Sequence, residues 1–264
     1  MFFSYNGRQI FYSDSGKGRP VVLLHGYLES SEIWNGFAEK LAAERRVICI
    51  DIPGHGSSST YSDVHTMEFL ATAVKNLLDN LGINRIFLTG HSMGGYVTLA
   101  FLELYPEYLT GYCLFHSQPF ADTPETVENR KKESGLALQG RTDLFYPDSI
   151  KKMFATSNLD RFSAELQRSE KIASETSGEG IAALLNGMIL RPSRLELMEK
   201  GRVPCLWILG AMDNYINCES IQSRVNLPAN AEVTVLNGSG HMGFIEEQDL
   251  SVKIMLDFTG RLHW

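Results

Sequence analysis

The chain is poor in what would tie it to a membrane, a nucleic acid or a metal. Its 264 residues contain no uninterrupted span of about 20 apolar side chains, so no stretch reads as a membrane-crossing helix. The opening residues, MFFSYNGRQIFYSDSGKGRP, lack the basic, apolar and small-residue segments of a secretory leader, and a soluble, cytoplasmic protein is expected. Positive charge is also short. With 24 Lys and Arg against 31 Asp and Glu and no basic run, the net charge is -7, and no nucleic-acid partner is expected. Only four cysteines occur, and none stands in a C-x-x-C pair or a Cys/His cluster of zinc spacing. Cys49, Cys113 and Cys205 lie inside apolar runs and read as buried, reduced thiols, while Cys218 falls in a loop. No metal and no organic cofactor is expected, and neither an internal repeat nor a low-complexity tract is present.

What is there is a hydrophobic content of 44%, enough for one sizeable core in a chain of this length. The segment RQIFYSDSG alternates apolar and polar residues after the turn-like YNGR, which predicts an antiparallel hairpin at a sheet edge. The runs RPVVLLHG, RRVICIDIPG, NRIFLTG, TGYCLFHS, VPCLWILG and AEVTVLNG are short, rich in Val and Ile, and almost continuously apolar, as in parallel strands covered on both faces. Helical patterns separate them. In HTMEFLATAVKNLLDNLG, Phe69, Leu70, Ala73, Val74, Leu77, Leu78 and Leu81 recur at three- and four-residue spacing, and Gly82 supplies a C-cap. Strand and helix in alternation predict an α/β fold: a doubly wound, mostly parallel, eight-stranded sheet with an antiparallel N-terminal edge. From 118 to 201 the alternation stops and only helical stretches appear. That segment is expected to form a helical lid inserted into a core made of residues 1–117 and 202–264.

One motif carries chemistry. In FLTGHSMGGY a strand ends in a tight turn with Gly90 and Gly94 two residues on either side of Ser92, the spacing that a strained strand-to-helix elbow needs for an exposed nucleophile. A serine nucleophile also requires a base, a carboxylate to orient it and donors for the developing oxyanion. Asp213 in LWILGAMDNYI stands just past a later strand, and His241 in VLNGSGHMGFIEE follows the last one, giving the chain order Ser, Asp, His. Asp122 is the other candidate acid but comes several residues after its strand. The backbone N–H groups of Tyr27, after His25-Gly26, and of Met93 are the candidate oxyanion donors. His91 points away from the nucleophile on a sharp turn and is expected to be packed and hydrogen-bonded.

Taken together, HGYLES, DIPGHGSS, GHSMGGY, GAMDNYI and GSGHMGF resemble, in order, the motifs of the α/β-hydrolase superfamily over nearly the whole chain. The resemblance implies Ser92 as nucleophile, His241 as base and acid, Asp213 as the orienting carboxylate, and Tyr27 and Met93 as oxyanion donors. It implies structural roles for His25, Asp51 and His55. Ser at the elbow sets the chain apart from the epoxide hydrolases and haloalkane dehalogenases, which carry Asp there. A small or medium carboxylic ester is the expected substrate and partner, with a homodimer compatible. Substrate contacts are expected from Leu28, His116, Phe120, Phe154, Met188, Tyr215 and Met242. Two alternatives stand beside this one. The same triad could cleave a thioester or a carbon–carbon bond, the latter needing a cation such as Arg191 or Arg194 for the substrate acid, or the chain could be a receptor-like binder with little turnover.

Overall fold

The computed structural model describes residues 1–264. Eight strands form one sheet: β1 (Phe2–Tyr5), β2 (Arg8–Gly16), β3 (Pro20–Leu24), β4 (Arg46–Ile50), β5 (Ile86–His91), β6 (Leu109–Phe115), β7 (Cys205–Gly210) and β8 (Ala231–Leu236), in the order β1-β2-β4-β3-β5-β6-β7-β8. The hairpin joining β1 and β2 turns on Asn6 and Gly7, whose φ angles of 46° and 76° are those of a turn that matches the right-handed twist of the strands. β2 runs antiparallel to β4, and every later pairing is parallel. All residues of β5, β6 and β7 are buried, which is why these strands carry no polar alternation.

Between the strands lie α1 (Phe37–Ala42), α2 (Met67–Asn80) and α3 (Met93–Leu104). α2 begins at Thr66, whose hydroxyl accepts from the Phe69 N–H. It ends where Gly82, at φ 67°, lets the Ile83 N–H reach back to the Leu78 carbonyl. From β6 to β7 the chain runs through α4 (Pro124–Leu138), α5 (Tyr146–Met153), α6 (Ser163–Ser174), α7 (Gly178–Leu190) and α8 (Leu195–Glu199), with no strand among them. The short α8 falls outside the helical patterns read from the sequence. α9 (Cys218–Gln222), α10 (Gly243–Glu246) and α11 (Gln248–Gly260) complete the chain. α2 packs on α3 and α1 on α11, so helices cover both sides of the sheet. Cys49, Cys113 and Cys205 are buried free thiols, and Cys218 is half-buried and free. No helix is long and apolar enough to cross a membrane.

Candidate active site

The site is assembled at the carboxyl ends of β3, β5, β6, β7 and β8, where an open parallel sheet gathers its functional groups. Ser92 joins β5 to α3 with φ 48° and ψ -112°, a conformation costly for a residue with a side chain and held by its surroundings. Its N–H donates to the Phe115 carbonyl (3.0 Å), and its own carbonyl accepts from the Ser117 hydroxyl (2.6 Å) and the Gly95 N–H (2.9 Å). Glycine is required on both sides. A Cβ at Gly90 would overlap the Gly94 carbonyl, and one at Gly94 would lie 2.5 Å from the Leu24 carbonyl oxygen. Both obstacles are backbone and cannot rotate away.

His241 sits in the loop between β8 and α10, and its Nδ1 lies 2.7 Å from Asp213 Oδ2. The other oxygen of Asp213 accepts from the Tyr215 and Ile216 N–H groups at 2.8 and 3.0 Å, so the carboxylate can turn only one face to the histidine. Burial would push the Asp213 carboxyl up, but the neighbouring His241 and His116 rings hold it well below the usual carboxylate range. For His241 burial works downward, and the attraction of Asp213 more than offsets it, leaving the imidazole above its usual value. The arrangement fixes the proton of neutral His241 on Nδ1, leaving Nε2 free to accept one.

His116 is the main departure from expectation. It follows β6 directly, with φ 46° and no exposed surface, and it stands beside Asp213, not in the cavity. Its Nε2 accepts from the Gly243 N–H (3.0 Å), which places the proton of the neutral ring on Nδ1, 3.5 Å from Asp213 Oδ2. Burial holds it neutral by lowering its pKa to about 4. Asp213 thus lies between two imidazoles. His116, Asp213 and His241 are also the one trio of side chains close enough to share a cation. Here, however, the lone pairs of Asp213 accept from two backbone N–H groups and face two imidazole N–H groups, the lone pairs that a cation would need.

His91 is packed and hydrogen-bonded, as its place on the turn predicts. Its Nδ1 lies 2.9 Å from Glu29 Oε2 and its Nε2 2.9 Å from the His241 carbonyl, and both side chains are almost wholly buried. Burial alone would raise the Glu29 carboxyl, but the charge and hydrogen bond of His91 bring it below its ordinary value. The same Glu29 oxygen accepts from the Gly26 N–H at 2.5 Å. Tyr27 comes next, and its N–H is held by no backbone or side-chain acceptor. The adjacent loop is shaped by His25, which accepts from the Ile52 N–H (2.9 Å), by His55, which accepts from the Leu28 N–H (3.2 Å), and by Asp51, which accepts from the Ser31 and Ser57 N–H groups (2.7 Å each). Met93 opens α3, so its N–H has no partner inside that helix.

Tyr27, Ser92, Met93 and His241 all line one cavity of about 550 Å³. Of the side chains expected to contact substrate, Phe120, Met188 and Tyr215 line it. Leu28, Phe154 and Met242 do not: like His116 they are fully buried outside its wall. Leu28 takes a left-handed φ of 62° that turns its side chain into the core, and Phe154 and Met242 pack among core residues. The sequence reading missed a polar wall. Thr126, Asn129, Arg130 and Glu133 project from α4 into the cavity, and Asn217, Ser220 and Arg224 approach from α9 and its ends. The spacing of the first four, one helical face, was the available signal, but a solvated surface has the same pattern. Glu133 is raised by burial and accepts weakly from the Tyr27 hydroxyl at 3.4 Å. Arg191 and Arg194 are both spent elsewhere. Arg191 lies 2.7 Å from Asp122 and over the Tyr96 ring, and Arg194 bonds Glu103 (3.0 Å) and Glu68. Asp122, bonded also by Arg130 at 2.7 Å, is bound by two guanidinium groups and makes no hydrogen bond with His241, whose carboxylate partner is Asp213.

Comparison with known proteins identifies the family. A 2-hydroxy-6-oxononadienedioate/2-hydroxy-6-oxononatrienedioate hydrolase of Pseudomonas putida is 28% identical over 280 residues, covering 95% of this chain and 91% of its own. The dihydrolipoyllysine-residue acetyltransferase component of the acetoin cleaving system of Pseudomonas putida is 31% identical over 91% of this chain, which spans 63% of that protein's length. Among solved structures, a malate-bound thermophilic esterase from Thermogutta terrifontis superposes with a TM-score of 0.92 at 26% identity, covering 100% of this chain and 97% of that one. The profile of the alpha/beta hydrolase fold matches residues 19–248. With its sheet order, its strained Ser92 turn and this match, the chain belongs to the α/β-hydrolase family, and it is a hydrolase.

Proposed function

We propose that the protein is a serine hydrolase that cleaves small or medium carboxylic esters through an acyl-enzyme on Ser92. The observation that carries this reading is the 2.7 Å pairing of His241 with Asp213 at the wall of the cavity that Ser92 also lines. Ser92 Oγ attacks the ester carbonyl as His241 Nε2 takes its proton. The oxyanion is met by the N–H groups of Tyr27 and Met93, each such donor being worth about 3 kcal/mol. Collapse of this intermediate breaks the bond to the alcohol, which leaves with the proton from His241. A water then gives its proton to His241 and attacks the acyl group, and Ser92 is released with its hydrogen restored. The sum is ester and water to acid and alcohol, and a 550 Å³ cavity suits a substrate of that size.

Carbon–carbon cleavage on the same triad would need a cation other than the two considered for it. The cations considered for it, Arg191 and Arg194, are buried in ion pairs with Asp122, Glu103 and Glu68. The test is a panel of chromogenic esters and thioesters of increasing acyl length, run on the wild type and on Ser92→Ala, with fluorophosphonate labelling of Ser92. Steady turnover that disappears with Ser92→Ala is expected. No turnover and no labelling would sink the proposal, and one acyl equivalent followed by silence would point to a receptor-like binder.

A further inference from the structure

We propose that Arg224, lying over Phe120 in the cavity wall, is a subsite for a carboxylate on the substrate, so that the preferred esters are those bearing a second, free acid group. The inference rests on the cavity's cations and what each is bonded to. Arg130 is bonded to Asp122 (2.7 Å), and Arg191, behind the wall, to the same carboxylate (2.7 Å). Arg224 lines the cavity as well, yet no carboxylate lies within ion-pair distance of it and its guanidinium donates no hydrogen bond inside the protein. It is nevertheless placed. Its guanidinium carbon lies 3.9 Å from the centroid of Phe120, itself a lining residue.

A guanidinium over an aromatic face is held by that face, while its N–H groups point outward along its own plane. Those N–H groups form a fork whose spacing matches the two oxygens of a carboxylate. Ser220, and Asn217 whose side chain caps α9 by accepting from the Ser220 N–H (2.8 Å), also line the cavity. The cavity's two carboxylates do not compete for it: Asp122 is bound by Arg130 and Arg191, and Glu133 stands with Tyr27 on the α4 wall. Because Ser92 and His241 open into the same space, an ester whose acid group reaches Arg224 presents its carbonyl within the cavity that holds the nucleophile. Turnover assays of this subsite rest on the assignment of Ser92 above, whereas binding assays do not.

The experiment has two arms. In the first, kcat/KM is measured for half-esters of dicarboxylic acids of increasing length and for acetylated hydroxy acids, each against the matched neutral ester, so that the acid is carried on the acyl or on the alcohol side. The charged-to-neutral ratio should fall about 10- to 100-fold in Arg224→Ala for at least one series, the range expected for a hydrogen-bonded charge pair. Arg224→Lys should recover it only in part, since an ammonium lacks the planar fork. In the second arm, glutarate binding to the Ser92→Ala protein is followed by calorimetry with and without Arg224→Ala. Binding that is lost with Arg224 supports the proposal even if no ester is ever cleaved. An unchanged ratio in both series, or glutarate that does not bind or binds equally with and without Arg224, overturns it.

Discussion

Replacing Asp213 by Asn tests the site most sharply, because the surroundings dictate which way the amide must face. One oxygen of Asp213 accepts from the N–H groups of Tyr215 and Ile216, and the other faces His241 Nδ1. In the variant the amide oxygen is needed for the two backbone donors, so the NH2 group is turned toward His241. Facing a donor, the imidazole must present a bare Nδ1 and carry its proton on Nε2, where it cannot accept the proton of Ser92. The opposite flip restores the base but leaves two backbone donors without an acceptor, at about 1–3 kcal/mol each. The productive orientation is therefore disfavoured by about 2–6 kcal/mol. At about 1.4 kcal/mol per tenfold, kcat should fall between about 30-fold and about 10⁴-fold. Urea unfolding should change little, since the side chain keeps its shape and two of its hydrogen bonds. A folded variant that keeps kcat within tenfold of the wild type would refute the reasoning and remove Asp213 from the orienting role.

Other expectations follow from the same geometry. His241 must be neutral to act as a base and Asp213 raises its pKa, so kcat/KM should rise with pH through a midpoint above the ordinary 6.5. A pH–rate profile with its acid limb below that value contradicts the pairing. Glu29→Ala leaves the buried His91 ring and the Gly26 N–H without their acceptor and should cost about 3–5 kcal/mol in urea unfolding. A loss under about 1 kcal/mol would mean that the pair is not an ionic one. Gly90→Ala forces a Cβ into the Gly94 carbonyl and should destabilise the fold by about 3 kcal/mol or more. Soluble Gly90→Ala protein of wild-type melting temperature would show that the elbow can relax.

The elements legible in the sequence are those whose environment is uniform. β5 and β6 are buried on both faces, and each reads as a plain apolar run. The α2 helix carries its apolar stripe and its glycine stop in one stretch. Ser92, Asp213 and His241 could be named because each follows a strand and the chain order was informative. Polar side chains that meet only through tertiary structure were harder. Glu29 and His91 are 62 residues apart, and nothing local distinguishes Glu29 from a surface carboxylate. His116 could be placed at a strand end, but whether it faced the cavity or the back of Asp213 depended on its left-handed backbone. The polar face of α4 resembled a solvated one until the fold turned it into the cavity that Ser92 lines.

The bridge from Gly26 through Glu29 and His91 to the His241 carbonyl ties together the three loops that carry the candidate oxyanion donor, nucleophile and base. It acts as a cross-brace whose two side chains, Glu29 and His91, line no part of the cavity. Most of the residues that line the cavity come instead from 118–133 and 215–224, which contribute no atom to that brace. The bond-breaking groups can thus keep their alignment while the walls are exchanged, so a lineage could drift from one substrate to another through its roof and sides alone.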